Sequence, residues 1–372
     1  MRDIKDIRND INAVDSKLKE LFLERMMYVD QVLEYKKLTN TPVKNKEREK
    51  DIFDSKLKGV KKFNNQTKTF FSDLVEISCN YQYENISKYH CIETLNAVDE
   101  NDFFKNVKSV CYQGIAGSYS YETAKKFFPD KKLNNVKKFE ELFIEIQSGN
   151  SDIGIVPVEN LTHGSVYEVY DLFGKYDVKI VRSCCLDIDH CLVGTGNLNS
   201  INSVISHHQA IGQCYDYIEK NGYNKLYSEN TAIAAELVSQ KNDPTLAAIC
   251  SKKCAQLYNL NILKDNISNI NNNKTKFAII TNKKIYFNSS SKIFVYFTLQ
   301  HEKGTLSRVL HDFSVNNINL SKIESRPSHN DEWKYLFYVE ADAKNIDVFE
   351  YFSKIRYMFE DFKIIGIYTV ME

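Results

Sequence analysis

The chain has 372 residues, of which 43% are hydrophobic and 26% charged, as in soluble globular proteins of two or three domains. Lys+Arg and Asp+Glu both number 49, so no net charge attracts nucleic acid or a membrane. No apolar run approaches the roughly 18 residues of a membrane span, the charged start MRDIKDIRNDIN lacks the apolar centre of a signal peptide, and the nine cysteines form no CxxC pair. We therefore expect a cytoplasmic protein with reduced thiols and no metal or other cofactor.

The first 90 residues are predicted to form three helices. In the first, apolar residues recur at alternating three- and four-residue steps, which is the spacing of a seam along one side of a helix; they are Ile4, Ile7, Ile11, Val14, Leu18 and Leu21. The segment TNTPVKN around Pro42 interrupts the helix, a second begins near Asn45, and a third runs from about Asn65 into the eighties. Three helices with long polar faces make a thin core, so we expect a second copy of the chain to complete it.

Charged side chains stand where this seam should be apolar. Arg25 continues the seam by a four-residue step, and Lys36 follows nearly three turns later on the same face. Arg8 lies about 100° around the helix from Arg25, so it cannot easily serve the same pocket in one straight helix but could reach into a partner's. The later helices add Arg48, Glu49, Ser78 and Gln82. These charges fit either the solvated face of an amphipathic helix or a pocket for a small dianion, because buried ions need partners.

The run IRNDINAVDSKLKELFLERMMYVDQVLEYKKLTNTPVKNKEREKDI, with the later Ser78 and Gln82, resembles the all-helical chorismate mutase family. The resemblance implies a dimeric helical bundle over residues 1–90, in which Arg8 comes from the opposite subunit. Lys36 and Gln82 would be catalytic, because in this family they bond the ether oxygen of chorismate as its C–O bond breaks. Substrate binding is assigned to Arg8, Arg25, Asn45, Arg48, Glu49 and Ser78. Asn45 stands where the family usually has Asp, which removes a charge near the substrate hydroxyl.

Residues 91–106 look like a linker, and residues 107–284 are predicted to form an α/β domain with a mostly parallel sheet, because short strands alternate there with helices. Polar segments follow at strand ends, where α/β folds bind ligands. They are GIAGSYS (114–120), PVENLTHG (157–164), HHQ (207–209), NTA (230–232) and NKTKF (273–277). Taken singly, GIAGSYS fits a plain glycine turn before a helix, and His207–His208 has no second ligand group spaced for zinc.

In this order the five segments resemble the prephenate dehydratase family, whose motifs run G-x-x-G-S/T-Y/F-S, P-V/I-E-N-S/T, H-P-Q, S/N-T-A and T-R-F. The flanking IDHCLVG and LYNLNIL segments also match. The resemblance implies two α/β lobes, like those of a periplasmic binding protein, with the active site between them. It assigns catalysis to Thr275, as the central hydroxyl, and to Glu159. Substrate binding is assigned to Ser118, Asn160, Gln209, Thr231, Lys276 and Phe277.

Three residues depart from these motifs. Lys276 replaces an arginine, so a bidentate fork becomes a point charge; Leu161 replaces a hydroxyl residue, and His208 replaces a proline. Because Thr275 is retained, we expect an active dehydratase that expels hydroxide and carbon dioxide from prephenate and leaves phenylpyruvate.

Residues 290–372 are predicted to form a βαββαβ unit of the α+β, ferredoxin-like type. The segments GTLSRVL (304–310) and ESRP (324–327) resemble those of ACT domains, which implies a phenylalanine site at a dimer interface. Gly304 would let the ligand approach the backbone, Arg326 is expected at a turn, and Lys303 replaces the usual proline. The residues assigned to this site are Gly304, Thr305, Leu306, Glu324, Ser325, Arg326 and Pro327. A ferredoxin-like domain that only stabilises a dimer is the alternative.

Together, the resemblances predict a multidomain, bifunctional enzyme of phenylalanine biosynthesis that phenylalanine inhibits. Its partners would be chorismate, prephenate, phenylalanine and further copies of the chain, as a dimer or larger oligomer, with neither nucleic acid nor membrane among them. Two alternatives stay open, because the motifs are shared: an arogenate dehydratase, and an amino-acid-binding regulator whose cleft has lost activity.

Overall fold

The computed structural model describes residues 2–86, 91–270, 272–327, 334–344 and 346–371. The side chain of Glu49 lies outside the described residues, and with it the expected role of that carboxylate. The chain divides into two compact units. The first comprises Met1–Ile92 and Asp347–Glu360, and the second comprises Glu93–Ile346 and Asp361–Glu372.

The first unit contains the three expected helices, which are α1 (Ile4–Thr39), α2 (Lys46–Leu57) and α3 (Asn64–Glu84). Helix α1 begins where the Asp3 carboxylate accepts a hydrogen bond from the Lys5 amide at 2.8 Å. It ends at Asn40, which adopts the left-handed conformation two residues before Pro42. The end of the helix therefore lies at the TNTPVKN break that the sequence predicted, and the structure adds the Asp3 cap at its start.

The apolar seam of α1 is covered only at its C-terminal end. Val29 and Leu33 are buried against the other helices, together with Val43. By contrast, the first five turns leave a row of large apolar side chains between 38% and 60% exposed: Ile4, Ile7, Ile11, Val14, Leu18 and Leu21. An apolar row of this length on a helix is unsatisfied in a single chain.

The second unit contains an α/β domain and the C-terminal sheet. Its helices are α4 (Glu100–Asn106), α5 (Tyr119–Phe127), α6 (Phe139–Gln147), α7 (Tyr167–Lys175), α8 (His208–Gln213), α9 (Tyr215–Asn221), α10 (Thr231–Lys241), α11 (Lys252–Leu257) and α12 (Thr305–Val315). Its strands are β1 (Asn96–Val98), β2 (Ser109–Gln113), β3 (Lys132–Val136), β4 (Ile153–Asn160), β5 (Gly164–Ser165), β6 (Lys179–Asp187), β7 (Cys191–Gly194), β8 (Ser203–Ser206), β9 (Asn224–Tyr227), β10 (Leu246–Cys250), β11 (Asn261–Lys264), β12 (Lys274–Thr281), β13 (Ile285–Phe287), β14 (Lys292–Thr298), β15 (Leu320–Pro327), β16 (Tyr335–Asp342) and β17 (Phe362–Met371).

Two large sheets organise this unit. Within the described residues, one sheet has ten strands, in the order β15-β16-β14-β17-β6-β12-β4-β2-β3 with β5 paired to β4. The other has five, in the order β11-β7-β10-β8-β9. The chain leaves the first sheet after β6 and returns to it at β12, so the α/β domain has two lobes joined by two connections.

The expectation of a mostly parallel sheet is wrong. Strand β2 pairs in parallel with β3 and β4, but β12 runs antiparallel to both β4 and β6. The reason lies in the two-lobed topology, because neighbouring strands that leave for the second lobe and return from it must run in opposite directions. The alternation of strands and helices along the sequence carries no information about this long return.

The predicted linker is also folded in part. Strand β1 pairs in parallel with β13, with Asn96 opposite Ile285. In α4, Phe103 is 9% exposed and belongs to the same buried cluster as Phe287 and Ile155. Residues 96–106 of this predicted linker therefore pack onto the α/β domain, because the apolar side chains of α4 find partners there.

The C-terminal residues follow the expected βαββαβ order, in which α13 (Val348–Ile355) is the second helix. The four strands lie in the order β17-β14-β16-β15, and β17 also pairs in parallel with β6, so this sheet continues that of the α/β domain. Arg326 lies within β15 and not at a turn, which corrects that expectation. The segment with α13 belongs to the first unit, where Tyr357 stacks on Tyr83 of α3 with ring centroids 4.5 Å apart.

Across the described ranges, every helix is too short or too polar to cross a lipid bilayer.

Candidate functional sites

The helical unit brings together four of the residues predicted for its pocket. Arg25 Nη1 of α1 donates to the Ser78 hydroxyl of α3 at 2.5 Å, and Gln82 Nε2 donates to the Ser78 carbonyl at 2.8 Å. Lys36 Nζ donates to the Val43 carbonyl at 2.6 Å. Ser78 and Gln82 are both 5% exposed, although they are polar. Buried polar groups on facing helices are what an internal site for a polar ligand requires.

The electrostatics of this pocket favour an anion. Burial lowers the pKa of both Arg25 and Lys36, an effect that the nearby Cys79 thiol partly offsets. Their positive charges are thus incompletely solvated, and a bound carboxylate would restore the lost interaction. Gln82 Oε1 is buried and has no hydrogen-bond partner among the described residues, so it is available to a polar ligand.

Three other predicted residues of this unit lie apart from those four. Arg8 is exposed, and it stands 17 residues before Arg25, which is about 25 Å along the helix axis. Asn45 caps α2, because its Oδ1 accepts a hydrogen bond from the Arg48 amide at 3.0 Å. The Arg48 side chain is exposed. The substitution of Asn for the family's Asp therefore keeps a helix cap, a role that either residue fills.

The α/β domain has a cavity of about 570 Å³ between its two lobes. Residues from both sheets line it, including most of those assigned to the dehydratase site: Ser118, Asn160, Gln209, Thr231, Thr275 and Phe277. Ser118 and Thr231 stand at the beginnings of α5 and α10, and Gln209 lies in the first turn of α8. Three helix N-termini thus approach one cavity, and their amide dipoles favour a ligand that carries carboxylates.

Thr275 is held by one neighbour on the adjacent strand. Thr275 of β12 pairs with Asn160 of β4, and Asn160 Nδ2 donates to Thr275 Oγ1 at 2.9 Å. Both side chains face the cavity, and Thr275 is 8% exposed. A hydroxyl that accepts a hydrogen bond from an amide still has its own hydrogen to donate.

Glu159 and Lys276 do not line this cavity, so neither the catalytic role predicted for Glu159 nor the substrate-binding role predicted for Lys276 is supported by its lining. Each directly neighbours a cavity residue along its strand, and successive side chains of a strand point to opposite faces. The Glu159 carboxylate pairs with Lys322 at 2.8 Å, and the Lys276 ammonium pairs with Glu340 at 2.5 Å. The side chains of Glu159 and Lys276 therefore lie on the face of the sheet opposite to the cavity, where they contact β15 and β16.

The charged cluster on that far side is partly buried, and Glu340 is its most enclosed carboxylate. Burial acts to raise the pKa of the Glu340 carboxyl, but the Lys276 ammonium and the Tyr368 and Ser321 hydroxyls together hold it below its usual value. Tyr368 donates to Glu340 Oε2 at 2.7 Å, and Ser321 donates to Oε1 at 2.8 Å. The ionised Glu340 carboxylate of β16 thus links the C-terminal sheet to Lys276 of β12 in the α/β domain.

The ESRP segment also contacts the α/β domain. Arg326 donates two hydrogen bonds to the Asp171 carboxylate, at 2.8 and 3.2 Å, and Ser165 donates to Glu324 at 2.9 Å. Ser325 and Pro327 alternate with them and are exposed. Direct binding of a ligand by Glu324 or Arg326 would first have to break these bonds.

The GTLSRVL segment has the conformation expected of a helix start. Gly304 precedes α12 with φ +84°, and the space around its missing Cβ is open, since the nearest atom is Arg308 Nη1 at 3.6 Å. The Thr305 hydroxyl bonds back to the carbonyls of Gln300 and Glu302, and Leu306 follows in the first turn.

Several polar residues at the cleft had been given no role by the sequence analysis. Tyr119, His190 and Gln213 line the cavity, and Thr162 lies just beside it. His190 is only 2% exposed, and burial lowers its pKa, so the ring is neutral at pH 7. The position of His190 in the apolar segment IDHCLVG could have indicated its role, because a histidine between buried strands needs hydrogen-bond partners. Burial also lowers the pKa of His207 to about 4.

No group of three or more His, Cys, Asp or Glu residues, over the part of the chain that is described, is arranged to hold a metal ion.

Comparison with known proteins assigns both units. A model of the prephenate dehydratase family matches residues 110–285, and one of chorismate mutase type II matches residues 7–83. The prephenate dehydratase of Methanocaldococcus jannaschii is 36% identical over 274 residues, which cover 71% of this chain and 99% of that protein. The bifunctional chorismate mutase/prephenate dehydratase of Aquifex aeolicus is 30% identical over 349 residues, covering 92% and 91% respectively.

A solved structure matches the fold of the second unit. The prephenate dehydratase of Arthrobacter aurescens in complex with L-Phe superposes with a TM-score of 0.64 at 22% identity, covering 70% of this chain and 89% of that one.

Proposed function

Because this chain belongs to the bifunctional chorismate mutase/prephenate dehydratase family, we propose that its helical unit converts chorismate to prephenate and that its two-lobed cleft converts prephenate to phenylpyruvate. These are two successive reactions of phenylalanine biosynthesis. The observation that carries the dehydratase assignment is the pairing of Thr275 with Asn160 in a cavity between lobes. The mutase assignment rests on Arg25, Lys36, Ser78 and Gln82 in the helical pocket.

In the mutase pocket, the protein positions chorismate and stabilises the negative charge that develops on its ether oxygen. Arg25 binds a carboxylate of chorismate, and Ser78 keeps the guanidinium in place at 2.5 Å. Lys36 and Gln82 bond the ether oxygen, which gains negative charge as the C–O bond breaks. Both side chains are already partly desolvated before the substrate arrives, so little reorganisation opposes the reaction.

We propose that two chains associate through α1. The exposed apolar row from Ile4 to Leu21 supports this, because these side chains are still 38–60% exposed and burial of the remainder would stabilise the association by a part of the about 1.5–3 kcal/mol of full burial for each one. Arg8 lies in that row's stretch of helix, so association would bring it to the partner's pocket. Arg48 and Asn45 would complete the site when substrate binds.

In the cleft, Thr275 donates a hydrogen bond to the hydroxyl that leaves prephenate. The ring carboxylate departs as carbon dioxide, and its bonding electrons complete the aromatic ring as the C–O bond breaks. The Thr275 hydroxyl is suited to this role because Asn160 occupies one of its lone pairs and leaves its hydrogen available. Ser118, Gln209 and Thr231 offer donors at helix N-termini to the substrate carboxylates.

We further propose that the C-terminal βαββαβ unit is an ACT domain and that phenylalanine bound there inhibits the dehydratase. The open left-handed position at Gly304 supports ligand access to the start of α12. The Lys276–Glu340 and Glu159–Lys322 pairs would couple the phenylalanine site to the cleft. Each pair joins the C-terminal sheet to a residue adjacent to Thr275 or Asn160. A ligand that prefers one arrangement of this sheet would thereby bias the cleft.

Turnover of chorismate by the purified protein tests both activities. Products separated by liquid chromatography and identified by mass should include prephenate first and phenylpyruvate later. Lys36→Ala should leave chorismate unconverted yet still make phenylpyruvate from supplied prephenate, and Thr275→Ala should accumulate prephenate. Consumption of arogenate in preference to prephenate would establish the arogenate dehydratase alternative, and binding without turnover would establish the inactive regulator.

A further inference from the structure

A continuous line of hydrogen bonds runs from Thr275 along the wall of the cavity. Asn160 donates to Thr275, Thr162 Oγ1 lies 2.7 Å from Asn160 Oδ1, and Gln213 Nε2 lies 3.0 Å from Thr162 Oγ1. Gln213 Oε1 lies 2.6 Å from His190 Nε2, and His190 Nδ1 lies 3.0 Å from the Tyr119 hydroxyl. The members, in order along the line, are Thr275, Asn160, Thr162, Gln213, His190 and Tyr119.

The direction of this line is fixed at Asn160. Its Oδ1 accepts hydrogen bonds from two backbone amides, those of Thr162 at 3.1 Å and His163 at 3.2 Å. A backbone N–H can only donate, so this atom is the oxygen, and the other atom of the amide is the NH₂ group. Asn160 must therefore be the donor to Thr275 Oγ1, and the hydrogen of Thr275 points elsewhere.

The donors and acceptors at Thr162, Gln213 and His190 follow from the orientation of Asn160. The single hydrogen of the Thr162 hydroxyl goes to Asn160 Oδ1, so Thr162 Oγ1 accepts from the Gln213 amide nitrogen. The Gln213 oxygen then faces His190, which makes His190 Nε2 the protonated nitrogen. His190 Nδ1 is left as an acceptor for the Tyr119 hydroxyl. The Tyr119 hydroxyl also lies 3.2 Å from the Asp189 carbonyl, and His163 Nδ1 lies 2.8 Å from Thr162 Oγ1 and 3.0 Å from Gln213 Nε2, so both ends of this stretch have a second neighbour.

We infer that Thr162, Gln213 and His190 are positioning residues of the dehydratase, which hold the Thr275 hydroxyl as a donor aimed at the substrate. If the line is broken at Thr162, Asn160 Oδ1 loses its shortest hydrogen bond and keeps the two longer ones from the backbone amides of Thr162 and His163. The Asn160 amide is then held less firmly behind Thr275, and the hydrogen of Thr275 is directed less strictly. The bond between Thr162 and Gln213 also joins the two lobes, since Thr162 follows β4 and Gln213 ends α8. The line is complete only when the lobes approach as they do here.

Thr162 is the best place to test this inference, because it does not line the cavity and its substitution should leave substrate contacts intact. Thr162→Val keeps the shape of the side chain and removes the hydroxyl, whereas Thr162→Ser keeps the hydroxyl and removes the methyl group. We expect Thr162→Val to lower kcat for prephenate about tenfold with little change in KM, as for the loss of one oriented hydrogen bond. Thr162→Ser should restore most of kcat.

A second variant reverses the direction of the line. Gln213→Glu has a similar shape but only acceptor oxygens, so it would compete with Asn160 for the Thr162 hydrogen. We expect its kcat to fall at least as far as that of Thr162→Val. Turnover of chorismate to prephenate by the same preparations, which uses the helical unit, reports whether each variant is folded.

The inference rests on Thr275 as the catalytic hydroxyl, and the outcomes separate the two. If Thr275→Ala keeps its dehydratase rate, the proposed role of Thr275 is wrong. If Thr275→Ala is inactive while Thr162→Val keeps wild-type kcat, only the positioning line is wrong. Equal loss in Thr162→Ser and Thr162→Val would also overturn the line, because the methyl group and not the hydroxyl would then be what matters.

Discussion

Substitution of Lys36 by alanine is the sharpest test of the helical pocket. The Lys36 ammonium donates to the Val43 carbonyl at 2.6 Å, and burial lowers its pKa. Because its charge would act mainly on the oxygen that becomes negative in the transition state, its loss should cost about 3–4 kcal/mol of transition-state stabilisation, or roughly 10²–10³ in kcat. The stability cost should be smaller, about 1–3 kcal/mol for one hydrogen bond from a charged donor.

Lys37→Ala is the matched control, because the two lysines are adjacent on α1. Lys37 is 41% exposed and pairs with Glu34 at 2.9 Å on the surface, where an ion pair contributes about 0–1 kcal/mol. The assay follows the loss of chorismate absorbance under saturating conditions, and dehydratase turnover of prephenate by the same sample reports folding. A kcat for Lys36→Ala within threefold of wild type, or an equal loss in Lys37→Ala, would refute the assignment.

Four further predictions follow from the geometry. Thr275→Ala should abolish formation of phenylpyruvate and spare the mutase; phenylpyruvate made at the wild-type rate would contradict this. Mutase kcat/KM should fall as pH rises through the lowered pKa of Lys36, since the ammonium is lost earlier than from free lysine; a profile that is flat into the usual lysine range would argue against it. Gly304→Val should abolish the binding heat of phenylalanine in calorimetry, whereas Gly222→Val, with the same left-handed strain at φ +64°, should not. Glu340→Gln should lower thermal stability by about 1–3 kcal/mol, because Lys276 loses its partner, and the added change Lys276→Met should recover much of it.

The phenylalanine test is best made in the full chain. Strand β17 pairs with β6 of the α/β domain, and β13 pairs with β1, so a chain ending near Asn282 would lose strands on which the dehydratase sheet depends. Loss of response in such a truncated protein would not separate sensing from folding.

Short-range sequence patterns were sufficient to predict the three N-terminal helices and the C-terminal βαββαβ order. The seam of α1, its cap at Asp3 and its end at Asn40 depend on neighbours within a few residues, and the three helices lie where that spacing predicts them. The βαββαβ order of the C-terminal residues was readable for the same reason. The polar segments at strand ends likewise located the cleft, because the ends of strands converge in an α/β fold whatever the details of pairing.

Local sequence could not decide the direction in which motif residues face. In P-V-E-N and T-K-F, adjacent letters lie on opposite faces of the sheet, so Asn160 and Thr275 meet in the cavity while Glu159 and Lys276 pair with the C-terminal sheet. A motif records only the order of residues, and it does not say which face of the strand the ligand occupies.

The sequence by itself predicted most of the elements and the residue types of both candidate sites, since these depend on short-range spacing. Only the tertiary structure decided that β12 returns antiparallel between β4 and β6, and that residues 96–106 form β1 and α4 and pack onto the domain. It also decided that His190 and Gln213 stand in line behind Thr275. The physical reason is that these contacts join residues dozens to more than a hundred positions apart, and their partners are set by how the whole chain packs.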